Sequence, residues 1–176
     1  MVQEINFDFR KKILDKHISS TISYCYQCTS CTSACPIADI TDGKYNPRKL
    51  IINALLGLTE KIFVDKDPSV WDCTQCCTCD EICPQHVKLT EIFAFIKNQF
   101  AERHEAPEGF LGEARAVYEN GLAIPMQSAI KRRRDSLGLS DPPEFDYDEL
   151  KDIMKMIGLD KLVKKVDKED NAEGEN

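Results

Sequence analysis

Nine cysteines are the residues of this chain best able to do chemistry, and eight of them fall in two runs of identical spacing. The first run reads CYQCTSCTSACP from Cys25 and the second CTQCCTCDEICP from Cys73. Both follow C-x2-C-x2-C-x3-C-P: Cys25, Cys28, Cys31 and Cys35 before Pro36, then Cys73, Cys76, Cys79 and Cys83 before Pro84. Thiols three residues apart lie on a compact loop, from which three sulfurs can cap three corners of one iron–sulfur cube. The fourth is set apart, because a residue before proline is driven out of the α region into an extended backbone. Cys35 and Cys83 are therefore expected to leave the direction of their own loops. Zinc also accepts four thiolates, but its sites are usually built from separated C-x2-C knuckles. A triple run closed by x3-C-P, present twice, fits a pair of 4Fe-4S clusters.

Cys77 lies inside the second run but outside its pattern, and is read as a small side chain packed near the site; a reactive thiol would need an exposed, electropositive setting. His17, His86 and His104 are isolated in sequence and are read as surface or core residues. No Gly-rich dinucleotide fingerprint, P-loop, nucleophile elbow or H-E-x-x-H motif is present. No catalytic residue is assigned, and one-electron transfer is the chemistry that remains.

Composition narrows the setting. The 23 Lys+Arg and 30 Asp+Glu of the 176 residues give a net charge of −7, which argues against a nucleic-acid partner because no positive field draws in phosphates. The N-terminal MVQEINFDFRKKILDK has no apolar core of a secretion signal, so a cytoplasmic location is expected. There thiols stay reduced, and a metal deprotonates them. The run IINALLGL at 51–58 is far short of the roughly 20 residues that span a bilayer, which excludes direct membrane insertion through it.

The elements that must position the cysteines read as helices. Residues 1–24 form a strand/helix segment: Ile5, Phe7 and Phe9 alternate as one short strand, and Ile13, Leu14, Ile18 and Ile22 predict a helix leading into Cys25. Between the runs, Asn46 is an N-cap and Pro47 suits the first helical position, with Leu50, Ile51, Ala54, Leu55 and Leu58 on one face. Asp67-Pro68 repeats the start signal ahead of Trp71. After Pro84, Leu89, Ile92, Phe93, Ile96 and Phe100 trace an amphipathic helix that completes a cluster-binding domain at 25–105.

Residues 106–165 are predicted as a helical extension for packing or partner docking. Phe110, Leu111, Ala114, Val117 and Tyr118 form one face ended by Asn120-Gly121, and Pro125 opens a segment carrying Ile130 and the basic KRRR at 131–134. That basic run reads as a solvated face or as a docking patch for an acidic partner surface or an anionic cofactor. After the linker LSDPPEF, Asp146 and Glu149 form a capping arrangement before Leu150, Ile153, Met154 and Ile157, with Gly158 as the stop. The acidic tail at 166–176 has the composition of disorder.

The paired C-x2-C-x2-C-x3-C-P runs resemble those of two-cluster bacterial ferredoxins, in which the last cysteine of each run ligates the other cluster. That resemblance implies one 4Fe-4S cluster on Cys25, Cys28, Cys31 and Cys83, and a second on Cys73, Cys76, Cys79 and Cys35. With NPRKLIINALLGL between the runs, Trp71 ahead of the second, and ICP-x-x-V-x-L-x-x-I-F after it, the chain resembles the α-helical ferredoxins. Its small size and C-terminal helical extension are most similar to the C subunits of methanogen heterodisulfide reductases. The resemblance implies a mainly α fold with two 4Fe-4S clusters plus that extension. It also implies a relay role, with electrons received from the flavin-containing A subunit, then passed to the B subunit, which reduces the disulfide of coenzyme M and coenzyme B. Hydrogenase or formate dehydrogenase feeds such complexes. The alternatives are a freely diffusible two-cluster ferredoxin, the iron–sulfur subunit of another anaerobic reductase or dehydrogenase, and a zinc-binding interaction module.

Overall fold

The computed structural model describes residues 4–15, 19–124, 126–140 and 145–163. Among these residues there are helices and turns and no strand, so the fold is mainly α. The chain divides into two compact units, Met1–Phe100 and Ala101–Asn176.

In the first unit Phe7 and Phe9 belong to a helix and Ile5 to the irregular stretch before it, contrary to the predicted strand. Helix α1 spans Phe7–Asp15, and the relevant period is that of Phe9 and Ile13. These two, four residues apart, are 5% and 1% exposed, while Phe7 is 68% exposed. A strand would have put Phe7 and Phe9 on one face; a helix separates them. A 3-10 turn, Ser19–Tyr24, then leads into the first cysteine run. His17 and Ile18 lie outside the described residues.

Two short helices follow, α2 (Ser30–Ser33) and α3 (Pro36–Ile40). Helix α4 (Pro47–Leu56) begins as its sequence dictates: the Asn46 side chain accepts a hydrogen bond from the Lys49 N–H, and Pro47 takes the first turn. It ends two residues earlier than the apolar pattern through Leu58 suggests, because Gly57 adopts φ +70°. Gly57 is required there. A Cβ would lie 2.5 Å from the Asn6 carbonyl oxygen, where Asn6 N–H donates to the Gly57 carbonyl at 2.9 Å. The start signal at Asp67-Pro68 is displaced as well. The Asp67–Pro68 peptide is cis, and the turn that begins is the 3-10 turn Val70–Asp72, capped by Ser69, whose hydroxyl accepts from the Trp71 N–H.

The second run carries α5 (Thr78–Glu81), and α6 (Leu89–Glu102) closes the unit. Leu89, Ile92, Phe93, Ile96 and Phe100 are all buried, the last four at 0 to 1% exposure, each contributing about 1.5–3 kcal/mol by leaving water. They join Leu50, Ile51, Ala54 and the α1 residues in one core. An aromatic chain runs through it: Phe9 meets Phe63 edge-on at 5.5 Å, Phe63 meets Phe100 at 4.8 Å, and Phe100 meets Trp71 at 5.9 Å. That chain fixes Trp71, and with it the start of the second run, to the helical core.

The second unit holds α7 (Glu108–Asn120), α8 (Ser128–Ser136) and α9 (Tyr147–Met156). Helix α7 ends at Gly121, φ +70°, against which the Phe145 ring packs so closely that a Cβ would lie 2.6 Å from it. The Asp146 side chain caps α9 by accepting from the Asp148 and Glu149 N–H groups, and the Tyr147 hydroxyl donates to the Tyr118 carbonyl. Pro125, the Pro142–Pro143 linker and the acidic tail lie outside the described residues. Helices α7 and α8 bury no residue fully, and α9 buries only Met154. No helix among the described residues is long and apolar enough to cross a membrane.

Candidate metal centre

The two cysteine runs share a backbone as well as a spacing. Gln27 and Thr29 in the first run have φ of 58° and 73°; Gln75 and Cys77, at the matching positions of the second, have 54° and 62°. A left-handed conformation costs a non-glycine residue about 1–2 kcal/mol, and four such residues in matched pairs mark a geometry imposed by function. Residues of alternating hand wind each loop into a concave surface lined with N–H groups, the form of backbone that holds anions and iron–sulfur groups. Thr29 and Cys77 then precede α2 and α5, and these two short helices pack on each other.

That packing brings the thiols together in two sets of four. One cavity is lined by Cys25, Cys28, Cys31 and Cys83, the other by Cys73, Cys76, Cys79 and Cys35. Cys35 has the extended backbone expected ahead of Pro36, φ −78° and ψ 118°, and turns away from its own run. The cavities enclose about 350 and 300 Å³ of space between atoms, part of it open to solvent. Among the described residues no three His, Cys, Asp or Glu side chains converge tightly enough to hold a single ion. The thiols instead stand around the walls, all of them free of disulfides. Along the first run, Cys31 and Cys35 are separated by four residues of mostly helical chain, about 6 Å of rise, so the two cavities are immediate neighbours.

Hydrogen bonds to sulfur repeat between the halves. Cys28 Sγ pairs with Ser30 Oγ at 3.4 Å and Cys76 Sγ with Thr78 Oγ1 at 3.3 Å. Gln27 Nε2 donates to Cys25 Sγ at 3.2 Å, the Gln75 N–H to Cys73 Sγ at 3.4 Å, and the Val87 N–H to Cys83 Sγ at 3.3 Å. As free thiols these groups differ in acidity. The Ser30 hydroxyl holds Cys28 below the ordinary thiol range, and Thr78 does the same for Cys76. Burial pushes Cys31 and Cys79 up, the latter helped by the Asp80 carboxylate beside it.

The residue after the third cysteine ties each run to the helix behind it. In the first half Thr32 Oγ1 donates to Asn46 Oδ1 at 2.9 Å and accepts from the Arg48 N–H at 3.4 Å, at the start of α4. In the second half Asp80, 8% exposed, accepts from the Thr90 N–H at 3.0 Å and from the Thr90 hydroxyl, at the start of α6. A carboxylate there also complements the positive end of the helix dipole. Lys97, buried in α6, donates to the Cys73 carbonyl at 2.8 Å and lies 5.5 Å over the Trp71 ring; burial lowers its pKa. Lys97, Asp80 and Tyr45, which lines the second cavity, carry no sequence motif. The one available signal is for Tyr45: an apolar residue just ahead of the Asn46 cap, placed to pair with Leu50 in a hydrophobic staple.

Cys77 also lines the second cavity. Its thiol is exposed and lies 3.5 Å from the Gln75 carbonyl and 3.9 Å from Thr90 Oγ1. Neither His86 nor His104 lines either cavity, and His17 lies outside the described residues.

Residues 21–87 match the family model of the 4Fe-4S dicluster domain. Relatives extend the likeness beyond that domain. The chain is 35% identical over 159 residues to the CoB–CoM heterodisulfide reductase iron–sulfur C 2 subunit of Methanocaldococcus jannaschii, covering 87% of this chain and 83% of the relative. It is 34% identical over 175 residues to the C2 subunit of the H2/formate:CoB-CoM heterodisulfide,ferredoxin reductase of Methanococcus maripaludis, covering 92% of each. A protein of Archaeoglobus profundus, named for its likeness to the C subunit of heterodisulfide reductase, is 34% identical over 144 residues, covering 80% of this chain and 74% of the relative.

Proposed function

Because the chain belongs to the family of heterodisulfide reductase iron–sulfur C subunits, we propose that it is the electron relay of such a complex, with two 4Fe-4S clusters. Cys25, Cys28, Cys31 and Cys83 hold the first cluster; Cys73, Cys76, Cys79 and Cys35 hold the second. The observation that carries this reading is the division of eight thiols into two sets of four, with the last cysteine of each run in the cavity of the other. When bound, a 4Fe-4S cluster accepts and releases one electron at a time.

The chain's own residues perform three tasks in this role. The thiolates anchor the clusters, the paired N–H and hydroxyl groups on sulfur tune them, and the helical core excludes water from their inner sides. Cys28 and Cys76 are exposed and mark the outward corners, where electrons enter and leave. We assign the donor side to a flavin-containing A subunit, the acceptor side to a B subunit that reduces the coenzyme M–coenzyme B disulfide, in the cytoplasm, with hydrogenase or formate dehydrogenase upstream. The second unit supports docking: Ile153, Met156 and Ile157 around the end of α9 are 50%, 86% and 73% exposed, leaving apolar surface that a partner can cover.

Anaerobic purification under gentle conditions, with native mass and with iron and acid-labile sulfide analysis, tests the proposal. The expected result is copurification with flavin-containing and disulfide-reducing chains, and iron and sulfide sufficient for two cubes. A chain that remains a monomer with both clusters is a diffusible carrier. One holding zinc without sulfide overturns the electron-transfer reading altogether.

A further inference from the structure

Tyr45 carries a polar atom that the protein alone does not satisfy. The residue is 2% exposed, and its buried hydroxyl makes no well-formed hydrogen bond among the described residues, the Cys73 thiol being the side chain within its reach. Leaving a buried hydroxyl unpaired costs about 1–3 kcal/mol, and native structures rarely tolerate it without a ligand, ion or water at that point. Phenylalanine would fill the same space without that cost.

The backbone that carries the ring is held in place. The Tyr45 N–H donates to Thr41 Oγ1 at 3.1 Å, Thr41 Oγ1 in turn donates to the Ile37 carbonyl at 2.6 Å, and the next residue is the Asn46 cap of α4. The ring lines the second cavity, and Cys73, Cys35 and Cys79 are the charged or chargeable groups that face it. The first cavity has donors of a different kind: Arg48, whose Nε is buried without a partner among the described residues, and Gln27, which donates to Cys25 Sγ. The tyrosine lining that one, Tyr26, is 70% exposed and keeps its hydroxyl for water.

We propose that the Tyr45 hydroxyl donates a hydrogen bond to the sulfur surface of the cluster held by Cys35, Cys73, Cys76 and Cys79, and selectively raises that centre's reduction potential. The inference rests on the two-cluster reading above. One-electron reduction adds negative charge to the cluster and its sulfurs, so a donor aimed at them stabilises the reduced form more than the oxidised form. Tyr45 is thus a positioning residue for charge at the second cavity alone, the one its ring lines.

The test is a redox titration followed by EPR on the full chain, with dithionite as the reductant. In Tyr45→Phe the reduction equilibrium constant of one centre is expected to fall about tenfold, which is about 59 mV for a one-electron couple. The centre that moves is the one lost in Cys73→Ser, and the other stays where it was. Replacing Tyr45 by 3-fluorotyrosine, whose more acidic hydroxyl is a stronger donor, moves the same centre upward and decides the matter if Tyr45→Phe does not retain its iron. Two centres that both ignore these changes, or shift equally, overturn the inference while leaving the two-cluster reading intact. Wild-type protein without two 4Fe-4S signals overturns that reading itself.

Discussion

Exchange of the fourth cysteine between the runs makes a prediction that sequence order alone does not. Single serine substitutions at Cys25, Cys83, Cys73 and Cys35 fall into pairs. Cys83 belongs by sequence to the second run but lines the cavity of Cys25, Cys28 and Cys31; Cys35 is its mirror image in the other cavity. Each cavity takes four of the eight thiols, so opening one cavity is expected to halve both iron and acid-labile sulfide and leave the other cavity's complement whole. The Cys83→Ser protein should therefore retain half the iron and give the EPR spectrum of Cys25→Ser, while Cys35→Ser matches Cys73→Ser. Anaerobic reconstitution followed by metal analysis and EPR of the dithionite-reduced proteins reads both quantities. If Cys83→Ser instead gave the spectrum of Cys73→Ser, each run would be serving its own cluster and the reciprocal assignment would be refuted.

Four further outcomes are expected. Gly57→Ala combines a left-handed φ of +70° with a Cβ 2.5 Å from the Asn6 carbonyl and the loss of the Asn6–Gly57 bond, about 2–3 kcal/mol in all; the cluster-loaded protein should melt on the order of 10 °C lower, and an unchanged Tm refutes the role. Asp80→Ala removes the α6 cap and strands the Thr90 N–H, costing about 2–3 kcal/mol, whereas Asp80→Asn keeps an acceptor and loses much less in urea denaturation. In iron-free protein, iodoacetamide should label Cys28 and Cys76 first, since hydroxyls lower their pKa. Cys31 and Cys79, raised by burial, become thiolates only as pH climbs past the ordinary thiol range, and mass mapping that showed them labelled first would contradict this order. Placing aspartate at Ile153, Met156 and Ile157 together should release the partner chains in a pull-down without altering iron content; loss of iron would mean the surface is structural instead.

Legibility in the sequence followed how local each signal is. Helices α4, α6, α7 and α9 announce themselves because caps and apolar spacing act within a few residues: Asn46, Gly121 and Asp146 all do what their side chains or backbone freedom allow. The eight pattern cysteines stand out because their spacing repeats, and all eight line the two cavities; their division between the cavities was implied by the resemblance to two-cluster ferredoxins. Helix α1 was misread because Ile5, Phe7 and Phe9 are too few to distinguish a period of two from one of 3.6; only Ile13, buried with Phe9, breaks the tie. Asp80 and Lys97 were silent, and Tyr45 showed only as a staple ahead of Asn46, for another reason. Their roles are defined by Thr90, by the Cys73 carbonyl and by a cavity assembled from both runs, partners set by the fold and not by any local pattern of residue types.

Cys83 completes a cavity begun by Cys25, and this sets a rule for biosynthesis. As the polypeptide leaves the ribosome from its N-terminus, the earlier site stays one anchor short until the later loop has emerged and folded back. On the proposed ligand assignment, cofactor insertion waits until both loops exist, and neither half of the domain would serve alone as a carrier.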